Sequence, residues 1–303
     1  MVNQTRIALA AIAVVIPLAM VATLYTDSEP QIRDNANTGS DRLLVVASFY
    51  PLYEFTSHVA GGRAQISSLV PAGIEPHDWE PTPSDIFKAR SADLVVINGA
   101  GFEAWAEEID AQRLVDTSEG IELEHEGVLN PHIWLDPVLA KLQVERIRDG
   151  LIAADPDNDG YYNENADRFV SELDSLDTLI RAELADCQKS DFIAFHDAFA
   201  HFAERYGLTQ HSVHGVSPEG EILPQRIEQV VALANELDIR VIYAEDLIDS
   251  RLAETIAAEV HGGKVLVLSP IEGIDQEEQE AGVSYVDKME ENLSNLKEGL
   301  DCG

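Results

Sequence analysis

Three histidines stand in three separate and distinctive settings: His77 in Glu75-Pro76-His77-Asp78-Trp79, His132 in Asn130-Pro131-His132-Ile133-Trp134-Leu135-Asp136-Pro137, and His196 in Phe195-His196-Asp197-Ala198-Phe199. Neutral imidazole is the commonest side-chain donor to zinc and its neighbours, so three rings on Pro-bounded or strand-end loops point to a divalent metal site. A lone histidine in such a place is more often structural, and the trio carries weight only as a set. The other six lack comparable settings. His211 and His214 form an H-x-x-H pair that a strand would turn to opposite faces. His201 points away from His196 on a helix, His125 sits in an acidic loop, and His58 and His261 read as helix-end residues.

Such rings need rigid supports, and the chain supplies them in two series. Leu43–Ala47, 65–70 and 94–98 read as strands, with amphipathic helical stretches between them. A second series follows, with strands at 192–194, 211–213, 241–244 and 265–268 and helices at 198–206, 225–236 and 250–260. Between the series, residues 156–187 show apolar positions at helical spacing (Phe169, Leu173, Leu176, Ile180, Leu184) and no proline after Pro156, which predicts one long helix. The expected fold is therefore α/β: two α/β lobes, 42–155 and 188–303, joined by one long backbone helix, 156–187. Each histidine falls where an open α/β sheet receives ligands, beyond the carboxyl ends of its strands. With His77 and His132 in the first lobe and His196 in the second, the metal would lie in the cleft between lobes. In the helix after the His77 loop, Ser84 or Asp85 could cap the first turn near Ile86, and Asp136 could cap the helix after His132.

Composition narrows the partners. The 303 residues are 45% apolar, enough for sizeable cores, and the 55 acids against 20 bases give a formal charge of -35. That balance excludes nucleic acid as a partner, because phosphate binding needs clustered Lys and Arg. The plain reading of the acidity is a solvated surface rather than direct cation capture.

Residues 1–25 hold the uncharged apolar run Ile7–Leu24, long enough to cross a bilayer as a helix. Met20-Val21-Ala22 offers a poor cleavage site and no cysteine follows to accept a lipid, so an uncleaved anchor is expected in preference to a cleaved signal. Arg6 before the run and Asp27 and Glu29 after it place the amino end in the cytoplasm and the body outside. Residues 26–41 read as a polar tether. In an extracytoplasmic body the two cysteines, Cys187 and Cys302, are expected to pair, a cross-link worth about 4–5 kcal/mol in the loop-entropy picture. Asn292-Leu293-Ser294 matches the acceptor pattern for N-glycosylation.

Beyond these readings, the ordered motifs resemble a known family. Phe49-Tyr50-Pro51-Leu52-Tyr53, the stretch from Pro76-His77-Asp78-Trp79 to Ser84-Asp85, His132 to Pro137, Phe195 to Phe199 and Leu268-Ser269-Pro270-Ile271-Glu272 are similar to the signatures of the extracytoplasmic zinc- and manganese-binding proteins of ABC importers (cluster A-I, or cluster 9). The likeness runs from Leu43 to the end and is nearest to the zinc-binding members. It implies two lobes about a long helix, and its first three metal ligands match His77, His132 and His196. Many relatives carry a final Asp where this chain has Ser269, a poor ligand. Some zinc-binding relatives use a glutamate three residues later, which implies Glu272 as the fourth ligand, with water or Glu75 or Glu245 as alternatives. Glu75 and Glu245 could instead accept hydrogen bonds from ligand N–H groups. The long His-rich loop of some relatives is absent, and only His125 stands there.

Three imidazoles and one carboxylate suit tetrahedral Zn2+, whereas Mn2+, the alternative, favours more oxygen donors and relatives with glutamate in place of His196. The resemblance implies a monomer that captures the ion and passes it to a permease, with the partner ATPase hydrolysing ATP, since no G-x-x-x-x-G-K-[ST] stretch occurs here. No catalytic residue is expected. Two rivals remain open: a zinc-dependent hydrolase, for which no H-E-x-x-H stretch is present, and a surface adhesin stabilised by metal. Since imidazoles bind metal only when neutral, affinity is expected to fall as pH drops through about 6.5.

Overall fold

The computed structural model describes residues 42–303 apart from 126, 219 and 221; the run Ile7–Leu24 and the tether after it lie outside the described residues. In chain order the elements are β1 (Leu43–Ala47), α1 (Tyr50–Ala60), β2 (Ala64–Ser68), α2 (Pro83–Arg90), β3 (Leu94–Ile97), β4 (Leu114–Asp116), a small hairpin of β5 (Glu124–His125) and β6 (Val128–Leu129), α3 (Pro137–Ala154) and α4 (Asp159–Leu184). Then come β7 (Asp191–Ala194), α5 (Ala200–Tyr206), β8 (Thr209–Ser212), α6 (Pro224–Glu236), β9 (Val241–Ala244), α7 (Arg251–Glu259), β10 (Lys264–Val267), α8 (Gln276–Ala281) and α9 (Tyr285–Gly299). Among the described residues no helix is long and apolar enough to cross a membrane.

Two parallel sheets result, in the orders β2-β1-β3-β4 and β10-β9-β7-β8. In each, the first strand sends the chain to one side and then to the other, so a crevice opens beyond β1/β3 and beyond β7/β9. Parallel strands are covered on both faces, and alternation along β1 shows it: Val45 enters the central core while Val46 faces Ala89 and Ile109 on the outside.

The central core is continuous across the molecule. It runs from Val45 and Val96 of the first sheet through Trp134 and the α4 residues Phe169, Leu173 and Ile180 to Phe192 and Tyr243 of the second sheet. Smaller clusters cover the outer sheet faces, with Ile242 against Val230 and Ile256 in the second half. The halves thus share one core about α4 rather than keeping wholly separate ones. At 26 residues, α4 spans about 39 Å. It is shorter than expected at both ends, because Pro156–Asn158 forms a 3-10 turn and the helix stops at Leu184. Polar contacts stitch the halves as well: Arg205 Nε donates to Asp136 Oδ2 at 2.8 Å, Trp134 Nε1 to the Pro270 carbonyl at 2.8 Å, and the Tyr285 hydroxyl to the Trp134 carbonyl at 2.6 Å. Cys187 and Cys302 are joined as a disulfide, tying the carboxyl end to the end of α4.

The local caps correct one expectation. Thr82, not Ser84 or Asp85, caps α2; Asp85 occupies the third helical position and completes a capping box, with Pro83 at the first turn where its missing N–H costs nothing. Asp136 caps α3 as expected, its Oδ1 accepting from Val138 N at 2.8 Å.

Candidate metal centre

Each of the four side chains comes from a loop beyond a strand, and each loop is fixed by its own neighbours. His77 lies after β2, where the Glu75 carboxylate accepts the N–H groups of His77 (3.1 Å) and Asp78 (3.0 Å), and the Phe102 ring meets the imidazole edge-on at 4.7 Å. His132 opens a 3-10 turn, with Asn130 Oδ1 accepting its backbone N–H at 3.1 Å and Trp134 packed against it. His196 lies two residues past the end of β7, and Glu245, just past β9, accepts both its backbone N–H (3.1 Å) and its Nδ1–H (2.6 Å). Glu272 follows β10. His132 and His196 are fully buried, Glu272 is 2% exposed, and the His77 side chain keeps 10%, so the group meets solvent at the His77 edge.

The structure brings one donor atom from each together. The His132 Nε2 lies 3.2 Å from the Nε2 of both His77 and His196, and Glu272 Oε1 lies 3.1, 3.1 and 3.3 Å from the Nε2 atoms of His77, His132 and His196. The remaining pair stays within the 4.8 Å that bounds the whole set. A regular tetrahedron with centre-to-corner distances of about 2.0–2.1 Å has edges of about 3.3–3.4 Å, so these separations are close to those of four donors about one zinc ion.

Proton positions sharpen the case. Asn130 Nδ2 donates to the Asp197 carbonyl at 2.7 Å, which leaves its Oδ1 as the acceptor, and the 2.8 Å contact from His132 Nδ1 must therefore be a ring N–H donating to it. Its Nε2 is consequently a bare lone pair, aimed at the Glu272 carboxylate and two more ring nitrogens. So many acceptors facing one another need a cation, or a proton, among them.

The electrostatics agree. Burial presses His132 down to about 3, keeping it neutral. Burial also opposes a charge on His196, but the carboxylates of Glu245 and Glu272 outweigh it and hold that ring up at about 10. Burial works against ionised Glu272 too, yet the charge on His196 first, then hydrogen bonds from the His196 and His77 rings, keep it well below the usual carboxylate range. Glu75 is lifted to about 7 by burial and by the Glu272 charge.

Of the two weaker candidates, Glu245 supports a ring nitrogen, whereas Glu75 is taken up by backbone N–H groups and organises the loop. Asn130 was not singled out from sequence, although an Asn two residues before His132 was there to be read as a side-chain turn holding the ring. The other histidines serve elsewhere: His201 Nε2 bonds the Asn130 carbonyl, His211 pairs with Asp191, and His58 stacks on Phe169.

Comparison with known proteins adds to the geometry. Residues 45–299 match the family described as zinc-uptake complex component A, periplasmic (ZnuA). The high-affinity zinc uptake system protein ZnuA of Bacillus subtilis is 37% identical over 290 residues, covering 88% of this chain and 91% of that one. Streptococcal AdcA zinc-binding proteins are longer, and the chain spans 56% of the Streptococcus pyogenes form. Among solved structures, the Zn(II)-bound ZnuA-like domain of Streptococcus pneumoniae AdcA superposes with a TM-score of 0.77 at 34% identity, covering 86% of this chain and 99% of that one. The laminin-binding protein Lmb of Streptococcus agalactiae, described as bifunctional with adhesin and metal-transporting activity, gives 0.80 at 30% identity, with coverage of 86% and 99%. A family match over residues 45–299, together with such identity across nearly whole lengths, means that this chain belongs to the ZnuA family of zinc-uptake component A proteins.

Proposed function

We propose that His77, His132, His196 and Glu272 hold one Zn2+ as cargo, and that the protein captures the ion outside the cytoplasm and delivers it to the permease of an ABC importer. The observation that carries this reading is the approach of three ring nitrogens and one carboxylate oxygen to within 3.1–3.3 Å in five of their pairings. Glu272 supplies one negative charge and Glu245 a second through His196, so a divalent cation leaves the buried centre close to neutral. Three imidazoles favour Zn2+ over Mn2+, which prefers oxygen.

The family is one of solute-binding proteins, not enzymes, and the hydrolase reading is set aside on that ground. Adhesion is a second role rather than a rival one, since a neighbour combines it with metal transport. We further propose that residues 42–155 and 188–303 work as two lobes about the linking segment 156–187, with only small movement, because side-chain bonds such as Arg205–Asp136 cross the seam. The apolar run in residues 1–25, followed by the tether 26–41, would anchor a monomer to the extracytoplasmic face of the membrane.

The test is metal analysis of protein purified without chelator, with chelator-competition titrations of the wild type and Glu272→Ala. One zinc per chain, and a loss in the variant exceeding the about 10- to 100-fold typical of an outer partner, support the reading. Equal affinity in the two proteins removes Glu272 from the site.

A further inference from the structure

Ile271, immediately before Glu272, is fully buried and has φ of 53°, a left-handed backbone that β-branched residues rarely adopt. Such a conformation persists only where the surroundings over-determine it, and observed outliers of this kind gather at functional sites. Here the surroundings are specific. The Ser269 hydroxyl donates to Asp246 Oδ2 at 2.6 Å and accepts the Ile271 N–H at 3.1 Å. The Ser269 backbone is held on both sides by Asn292, whose Oδ1 accepts from Ser269 N (2.8 Å) and whose Nδ2 donates to the Ser269 carbonyl (2.7 Å). Asp246 in turn pairs with the Lys288 ammonium at 2.9 Å, and Lys288 is only 3% exposed. Both amide atoms of the 4%-exposed Asn292 are thus engaged, which leaves its N-x-S triplet to structure rather than to a glycan.

We propose that Ser269 is a positioning residue for metal capture: its hydroxyl, oriented by Asp246, clamps the strained backbone at Ile271 and so aims the Glu272 carboxylate at the three imidazoles. This rests on Glu272 as a zinc donor. A side chain too weak to bind the ion itself acts one step back, by fixing the φ that decides where the next carboxylate points. Released from the clamp, Ile271 returns to the right-handed or extended region and Glu272 swings off the shared point. The preorganised loop then no longer presents its oxygen without cost.

A double-mutant cycle tests this, using the full chain, zinc itself and a competing chelator, with thermal melts of the metal-free proteins to verify folding. Ser269→Ala is expected to weaken zinc binding by about 10- to 100-fold, as loss of an outer partner does. In a Glu272→Ala background the same change is expected to have almost no further effect, and the cobalt(II) complex of Ser269→Ala should show the d–d absorption of the Glu272→Ala complex. Unchanged affinity in Ser269→Ala overturns the proposal, and so do losses that add in full, which would mark a general structural role. If Ser269→Ala does not fold, Ile271→Gly supplies the background: glycine takes the left-handed dihedral without a clamp, so adding Ser269→Ala to it should cost little zinc affinity, and a full loss of about 10- to 100-fold there overturns the proposal. A Glu272→Ala protein that binds zinc like wild type instead sinks the ligand assignment beneath, a separate outcome.

Discussion

The His132 Nδ1–H donates to Asn130 Oδ1 at 2.8 Å, and the Asn130 amide cannot turn over because its nitrogen is committed to the Asp197 carbonyl across the seam. One residue therefore sets the tautomer of a buried ring and joins the halves that carry His132 and His196. Asn130→Ala is expected to lower zinc affinity by about 10- to 100-fold, because the ring loses both its orientation and its preferred protonation site. Chelator competition reads the loss; an unaltered dissociation constant would show the tautomer to be set by something else.

The pH response follows from His196. Folding raises this ring from its ordinary value to about 10, burial being outweighed by Glu245 and Glu272. Its stabilising effect on the metal-free protein is therefore complete below about pH 6.5 and is lost as pH rises through about 10. Zinc needs the Nε2 lone pair, so loading near pH 8 should release about one proton, and affinity should climb with pH well beyond the range expected of an ordinary histidine. His132, pressed down to about 3, contributes no proton there. Calorimetry in buffers of different ionisation enthalpy measures the count, and zero protons released would contradict this charge arrangement.

Tyr285 is wholly buried, and its hydroxyl donates to the Trp134 carbonyl across the seam at 2.6 Å. Tyr285→Phe keeps the ring contact with Phe55 but strands a buried carbonyl, a loss of about 1–3 kcal/mol. Urea denaturation should show a lower midpoint with an unchanged slope.

The Cys187–Cys302 bond closes a separation of 115 residues. Replacing both cysteines by alanine is expected to cost about 2–5 kcal/mol of stability. Denaturation of wild type with and without reductant should reproduce the difference; reductant insensitivity with a destabilised variant would assign the loss to packing.

The strands came through in outline from hydrophobic runs, with β1 and β9 matching residue for residue and the others offset by one or two positions at their ends. The miss at β4 has a plain cause: three half-exposed residues, Leu114–Asp116, give no period to read. The hairpin Glu124–His125/Val128–Leu129 is shorter still. Helix ends shifted where a proline imposed a 3-10 turn, as before α4, and where the His196-Asp197-Ala198 turn delays α5 until Ala200.

His77, His132 and His196 could be singled out because proline-bounded and strand-end settings are local properties, and the cysteine pair because two thiols outside a reducing compartment have few other fates. Residue type and spacing also determined that the halves would be α/β and that a long helix would separate them. Only the tertiary structure decided that the rings converge, that Asn130 and Glu245 fix two of their tautomers, and that Ile271 is twisted so that Glu272 meets them. The convergence depends on contacts between residues 49 to 195 positions apart, and even the local Asn130–His132 bond is oriented by Asp197, 67 positions on from Asn130; hydrogen bonds of that reach are set by packing about a shared core, which no local pattern encodes.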